Sequence, residues 1–364
     1  MAKTKALCIF SGLLGNASMA RTLVRTLDRL GNLDPTYVIV SNDDYGKYPA
    51  PWWARLSDPW HAEYIARQKT RAARQGRFDI LWLHGWEGAV AFGRLARSLP
   101  AAVTLDSVPA TMDRQLRQRG VNSLRRTVAH QLHDRAFRAA VPRIDCWLPM
   151  ASDCARSLER DYGVDPGRSV VTLTPQDTAW WAPPARSFRP PWRALFVGNH
   201  FDRKGGEFLL RLFAGQLPGA CTLTILSNDP ALQGRALPPG VNWIRGAAKE
   251  QVREAYWNHH LLLLPTRQDF APQVLAEAAA AGLPAIASDV GGIPDLLQNN
   301  ETGFVLPRDA SLEDWAGRMR GLFAQPEALE RMSAAAQKFA AEFLSLERFE
   351  RLVAGVVARL EAAR

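Results

Sequence analysis

The stretch LLLLPTRQDFAPQVLAEAAAAGLPAIASDVGGIPDLLQNNETGFVL, residues 261–306, decides the fold. Leu261–Leu264 is apolar at every position, so it is buried on both faces, as a central strand of a parallel sheet is. A loop follows, and Pro272 suits the first turn of a helix, where its missing N–H costs nothing and its φ is already helical. The pattern predicts that helix over residues 272–281. The amides of Gln273 and Val274 then face the carboxyl end of the sheet, where open α/β sheets bind their ligands. A helix N-terminus placed there attracts phosphate. Asp269 stands just before the helix and Glu277 on its second turn. A carboxylate such as Glu277 can accept hydrogen bonds from both hydroxyls of a ribose. The loop Asp289–Gly292, after the next strand, lets backbone approach a ligand closely.

Outward from this stretch the same alternation of short apolar strands and amphipathic helices runs through both halves, the signature of parallel α/β domains. In the first half strands are predicted near 6–10, 36–41, 79–84, 101–105, 145–149 and 169–173. In the second they fall near 193–198, 221–227, 241–244, 260–264, 284–287 and 303–305. The prolines of Pro175–Trp192 are too dense for helix or central strand and mark a boundary. The expected organisation is a domain over 1–178, a linker over 179–192 and a second domain over 193–343. A helix over 344–364 then returns to the first domain. A chain of 364 residues is of the right size for two such domains.

A second block, ALFVGNHFDRKGG at 194–206, is a strand ending at Gly198, a loop, and Arg203-Lys204-Gly205-Gly206 at the next helix start. Two cations at a helix N-terminus oppose the helix dipole. A bound diphosphate would remove that conflict. A third block, VNWIRGAAKEQVREAY at 241–256, reads as strand, glycine loop and helix.

Together these blocks closely resemble the donor-binding region of family 4 retaining glycosyltransferases, which have the GT-B fold of two Rossmann-like domains facing each other across a cleft. The matching features are Asp269, Glu277, the alanine-rich helix Ala278–Ala281, Gly282-Leu283-Pro284, Gly291-Gly292 and Thr302-Gly303-Phe304. The resemblance implies that Glu277 holds the donor ribose, that Asp269 contacts the transferred sugar, and that amides near Pro272, Gln273 and Val274 hold sugar and diphosphate. It implies that Lys204 stabilises the departing diphosphate, beside Gly198, and that backbone at Arg245 and Gly246 frames the base. Two departures stand out. Asp269 replaces the family's commoner glutamate, and Asn199 stands where an arginine is frequent, a role that Arg203 would take over.

The N-terminal half resembles the family more weakly. Its first loop, Ser11–Asn16, makes Gly15 and Asn16 candidates for closing over the donor phosphates. The loop is not a dinucleotide fingerprint, because the third glycine is missing. His84 ends a strand and either lines the cleft or packs. Asp106 follows the next strand, where the family often has a histidine. Asp43-Asp44 is read as an acidic turn, so no metal site is expected, and no cofactor beyond the donor substrate.

Charge and cysteines bound the rest. Residues 1–175 hold 25 Lys and Arg against 16 Asp and Glu, and residues 176–364 hold 20 against 20. The whole excess lies in the first half, so its partner is expected to be anionic. Asp113–Ala140 is dense in arginine around Leu116, Leu124, Val128, Leu132 and Phe137. It is either a solvated helix packed on its own domain or a docking face for an anionic membrane or acceptor. Trp52, Trp53 and Trp60 are candidates for an acceptor cleft or a lipid interface. The scattered Cys8, Cys146, Cys154 and Cys221 read as reduced thiols of a cytoplasmic protein, and the basic first half suits the inner face of the cell membrane. The N-terminal run that mimics a signal peptide is read as a first strand, glycine loop and helix, since Leu23, Leu27 and Leu30 share one helical face.

The expected activity is retaining, metal-independent transfer of a hexose from a nucleoside diphosphate to a hydroxyl of an anionic or lipid-linked acceptor. An epimerase of nucleotide sugars on the same fold is the alternative. A nucleic-acid-binding protein would leave the C-terminal blocks unexplained.

Overall fold

A computed structural model describes residues 3–12, 16–49, 51, 58–73, 77–93, 95–118, 120, 124–217 and 219–363. Gly15, Trp52 and Trp53 lie outside the described residues, as do the side chains of Asn16 and Trp60. The chain forms two compact units, residues 1–172 with 347–364, and residues 173–346.

The first unit contains strands β1 (Thr4–Ser11), β2 (Leu33–Val40), β3 (Ile80–His84), β4 (Ala101–Leu105) and β5 (Cys146–Pro149). They pair in parallel in the order β2-β1-β3-β4-β5. Around them stand α1 (Asn16–Arg29), α2 (Asp44–Lys47), α3 (Asp58–Ala73), α4 (Trp86–Phe92), α5 (Pro109–Gln118), α6 (Leu124–Ala140) and α7 (Ser152–Tyr162). Both faces of the sheet are covered, so β3 and β4 are buried at every residue.

The second unit holds α8 (Thr178–Trp181), β6 (Arg193–Val197), α9 (Gly206–Gly215), β7 (Thr222–Leu226), β8 (Val241–Ile244), α10 (Lys249–Asn258) and β9 (Leu261–Leu264). It continues with α11 (Gln273–Ala280), β10 (Ala285–Ser288), α12 (Ile293–Leu296), β11 (Gly303–Leu306), α13 (Leu312–Phe323) and α14 (Pro326–Phe339). Its parallel sheet runs β11-β10-β9-β6-β7-β8. The strand order reverses between β6 and β9, and the carboxyl ends of two such strands diverge to leave a crevice. The last helix, α15 (Leu346–Ala362), is tied to the first unit. Arg29 pairs with Glu350 at 2.6 Å, Thr4 donates to Glu361 at 2.6 Å, and Arg359 donates to the Gly167 carbonyl at 3.0 Å.

Two features differ from the sequence reading. The strand expected at 169–173 is absent: only an isolated bridge joins Ser169 to Trp147. Val170 and Thr172 still donate to the carbonyls of Trp147 and Pro149. Pro149 has no N–H to return a bond, and Leu173 turns away at φ 58°, so no ladder propagates. The proline-rich stretch is also packed onto the second unit, with Trp181 and Phe188 buried in its cores. Arg186 pins it. Its guanidinium donates to the carbonyls of Tyr256, Trp257, Ala281 and Gly282, which close α10 and α11.

Behind this segment His259 and His260 are buried, and burial drops each imidazole to about 4. Their unfolded value is about 6.5. Between those values the unfolded chain binds protons that the fold refuses, so stability falls as pH drops from 6.5 towards 4. Each contributes up to about 1.4 kcal/mol per pH unit. His84 and His133 act in the same sense, while Glu87, raised to about 7 by burial, acts in the opposite one. A melting series from pH 7 to pH 5 should slope steeply downward, and less so in His259→Gln/His260→Asn. Equal slopes in the two proteins would remove the histidines from the account.

Candidate functional site

Two glycines build the crevice at the β6–β9 reversal. Gly205, at φ 85°, lies so close to the next loop that a Cβ would stand 1.9 Å from the Pro265 carbonyl oxygen. A Cβ on Gly206 would meet the Phe201 ring at 2.1 Å. Glycine at 205 lets the loop after β6 approach the loop after β9, and glycine at 206 lets that loop fold onto its own Phe201. Polar bonds then fasten the two loops. Arg267 N donates to the Arg203 carbonyl at 3.0 Å, and Arg203 Nη1 donates to the Gln268 carbonyl at 2.6 Å.

The result is that Lys204 and Asp269, sixty-five residues apart, form an ion pair through Nζ and Oδ2. Their side chains are only 13% and 11% exposed, so water screens the pair little. The stem of Lys204 lies over Gly198, where a Cβ would come within 3.4 Å of its Cγ. Lys204 itself stands in the turn before α9, which starts at Gly206. Arg203, expected to clamp diphosphate, is bonded through Nη1 to the Gln268 carbonyl.

Just beyond Asp269, Pro272 caps α11, and Gln273 and Val274 form its first turn. Their amides have no acceptor within the helix, as at every helix start. Glu277, one turn further, accepts from the Tyr256 hydroxyl at 3.0 Å. Burial raises its carboxyl above the usual range, opposed by Tyr256, Lys249 and Lys204. Neither Tyr256 nor Lys249 was singled out from the sequence. Both lie on α10, seven residues apart and so on one helical face. That spacing within residues 241–256 was the available signal.

Side-chain amides stitch the remaining strand ends. Asn199 accepts from Asn228 N at 2.8 Å, and Asn228 accepts from Gly246 N at 2.8 Å. Asn199 therefore joins the loops after β6 and β7 where the family's arginine would stand. Arg245 and Gly246 are exposed beside this join. Gly292 N donates to the Phe270 carbonyl at 2.9 Å, which draws the glycine loop against the loop bearing Asp269.

In the first unit, His84 is 2% exposed and its Nδ1 bonds the Thr104 carbonyl at 3.0 Å. A carbonyl only accepts, so Nδ1 carries the proton and Nε2 is a bare acceptor, buried with no hydrogen-bond partner. Burial lowers this ring to about 4, which keeps it neutral. Asp106, past the end of the neighbouring strand, accepts from Ser107 at 2.9 Å. The two side chains share the carboxyl edge of β3 and β4. Glu87, on the first turn of α4, joins them and was not anticipated: burial, then the charge of Asp106, raises it to about 7. Asp44 is taken up by Lys69 at 2.8 Å and by Ser41. No group of three or more potential metal ligands occurs among the described residues.

Residues 192–325 match the family described as glycosyl transferases group 1. The C-terminal unit carries a group 1 glycosyltransferase domain. A D-inositol 3-phosphate glycosyltransferase of Rhodococcus erythropolis is 27% identical over 307 residues, 77% of this chain and 67% of that protein. The sucrose-phosphate synthase of Thermosynechococcus elongatus superposes with a TM-score of 0.80 at 16% identity, over 100% of both chains. Anabaena HepE, solved in complex with UDP-glucose, superposes at 0.72 with 13% identity, over 98% of this chain and 99% of its own. The fold is GT-B, and the group 1 match spans β6 to α13, from Trp192 past every residue of the Lys204–Asp269 site.

Proposed function

We propose that the protein is a retaining, metal-independent hexosyltransferase that moves a sugar from a nucleoside diphosphate to a hydroxyl of an anionic or lipid-linked glycan. The observation that carries this reading is the buried Lys204–Asp269 pair beside the first turn of α11. In it the donor diphosphate lies on the amides of Gln273 and Val274, and Lys204 turns part of its donor capacity from Asp269 to the leaving oxygen. Fixed donors aimed at developing charge in a dry site are the largest single source of catalysis. The freed oxygens of Asp269 accept from hydroxyls of the sugar. Glu277, oriented by Tyr256, accepts from the ribose. The charge of the departing diphosphate is met by Lys204 and the helix dipole rather than by a metal.

The UDP-glucose bound to Anabaena HepE supports a uridine donor. The name of the Rhodococcus relative contains an anionic acceptor, which supports the same chemistry for the basic N-terminal half. Val128 and Leu132, 47% and 50% exposed one turn apart on α6, support contact with an anionic membrane at its cytoplasmic face. Among the described residues no helix is long and apolar enough to cross a membrane.

Thermal stabilisation by UDP, GDP, ADP and their sugar conjugates, in the presence of EDTA, tests the donor site and the metal independence together. One nucleotide series should raise Tm. A charged hydrogen-bonding partner contributes about 1.5–3 kcal/mol, so Glu277→Ala should weaken that series by about ten- to a hundredfold. Stabilisation by none of them would defeat the proposal.

A further inference from the structure

The loops that follow β6, β7 and β8 are tied in series along the carboxyl edge of the second sheet. Asn199 Oδ1 accepts from Asn228 N, and Asn228 Oδ1 accepts from Gly246 N, each at 2.8 Å. Asp229 ties the middle loop to the first a second time, its Oδ2 accepting from Phe201 N at 2.5 Å. Gly246 sits at φ 69° with nothing within 4 Å of where a Cβ would stand, so glycine serves the turn there and not a close contact.

These bonds fix which end of Asn228 is free. A backbone N–H only donates, so the side-chain atom that meets Gly246 N is the oxygen, and the NH2 group is turned to the other side. Asn228 is exposed, which leaves that group open at the edge of the sheet. Both oxygens of the adjoining Asp229 are taken by backbone amides, those of Phe201 and Ala231. Arg245, exposed in the next loop, adds further donors and no side-chain acceptor. On this edge the side chains therefore call for a ligand that accepts.

The position says which part of a ligand that is. Glu277 accepts from Tyr256 on α10, and the charge of Lys249, in the first turn of α10, acts on the same carboxyl. A ribose held by Glu277 thus lies against α10, and the loop that leads into α10 is the one containing Gly246. With the diphosphate on the first turn of α11, the base is the part left to reach the loops after β7 and β8.

We propose that Asn228 selects the base of the donor. Its Oδ1 holds the Gly246 loop, and its NH2 group donates to a ring carbonyl, O4 of uracil or O6 of guanine, where cytosine and adenine carry an amino group. This rests on the nucleotide-sugar reading of the same unit and adds the class of base to it.

Isothermal titration of the full chain with UDP, CDP, GDP and ADP tests this, because the two bases within each pair are of equal size. The wild type should prefer UDP to CDP, or GDP to ADP, by at least about tenfold, since the wrong base loses a hydrogen bond and leaves two donors facing each other. Asn228→Asp keeps an oxygen for Gly246 N and puts an acceptor where the NH2 group stood, so it should abolish or reverse the preference. Its added charge weakens both members of a pair alike and cancels in the ratio. Asn228→Ala removes the donor without adding charge and should bring the two affinities to within about twofold. The ligand-free Tm of each variant confirms its fold. A ratio unchanged in either variant, with binding intact, would overturn the inference and leave the donor reading standing. So would a wild type that prefers CDP or ADP. Binding of none of the four nucleotides would overturn both.

Discussion

Replacing Lys204 with alanine should lower kcat by about a hundred- to a thousandfold, the loss measured when one preorganised donor to a developing oxyanion is removed. The same change removes the cation that faces the carboxylate of Asp269 in a setting where both side chains are largely buried. Breaking a buried pair from one side costs about 3–5 kcal/mol, because the other charge stays behind. Stability and activity would thus fall together in the single variant. The double variant Lys204→Met/Asp269→Asn separates them. It leaves no buried charge uncompensated at the pair, so most of the lost Tm should return. Turnover should stay low, because the proposed leaving diphosphate is then met by the helix dipole alone, without a cation. Sugar transfer or hydrolysis of the nucleotide sugar that stabilises the protein provides the assay. Recovery of turnover along with Tm would assign Lys204 a purely structural role.

Arg186→Leu should lower the melting temperature of the second unit by about 10 °C. Its guanidinium donates to four carbonyls at the ends of α10 and α11, at distances from 2.6 to 3.2 Å. Such carbonyls carry the negative end of the helix dipole and have no partner within the helix. Leucine fills much of the volume and supplies no donor. Buried acceptors left unsatisfied cost about 1–3 kcal/mol each. After relaxation a total of about 3–5 kcal/mol is expected, and a unit of this size loses about 2–4 °C per kcal/mol. Arg186→Lys should recover only part of the loss, since one ammonium cannot span two helix ends. Burial draws the guanidinium down to about 10, so the side chain stays charged through the neutral range. A fall of less than about 2 °C would show that the proline-rich segment is held by its apolar contacts alone.

Most of the Lys204–Asp269 crevice was legible because its signals are local. A fully apolar tetrapeptide, a proline at a helix start and paired glycines each reflect constraints within a few residues. They placed Asp269, Pro272–Val274, Gly198 and Lys204 in the loops after strands and Glu277 on the second turn of the following helix, all on the carboxyl side of one sheet. The strand expected at 169–173 failed for a reason outside its own composition. Val170 and Thr172 are good strand residues, but their neighbour Pro149 cannot complete the ladder. Glu87, Tyr256 and Arg186 were missed because a lone acid, tyrosine or arginine has no signature in sequence. Their roles come from burial and from carbonyls or carboxylates brought in by other segments.

By itself the sequence determined the α/β alternation, the division of charge between the halves, and the glycine and proline positions that shape each loop. These follow from local rules: side-chain period, φ preference and the presence or absence of an N–H. Only the tertiary structure decided that Lys204 meets Asp269. Strands β7 and β8 intervene in the chain, yet β6 and β9 are neighbours in the sheet. Strand order is set by how whole faces bury against helices, a property of the packed unit that no short window of residues contains. The same non-local packing put Tyr256 on Glu277 and Arg186 on two helix ends.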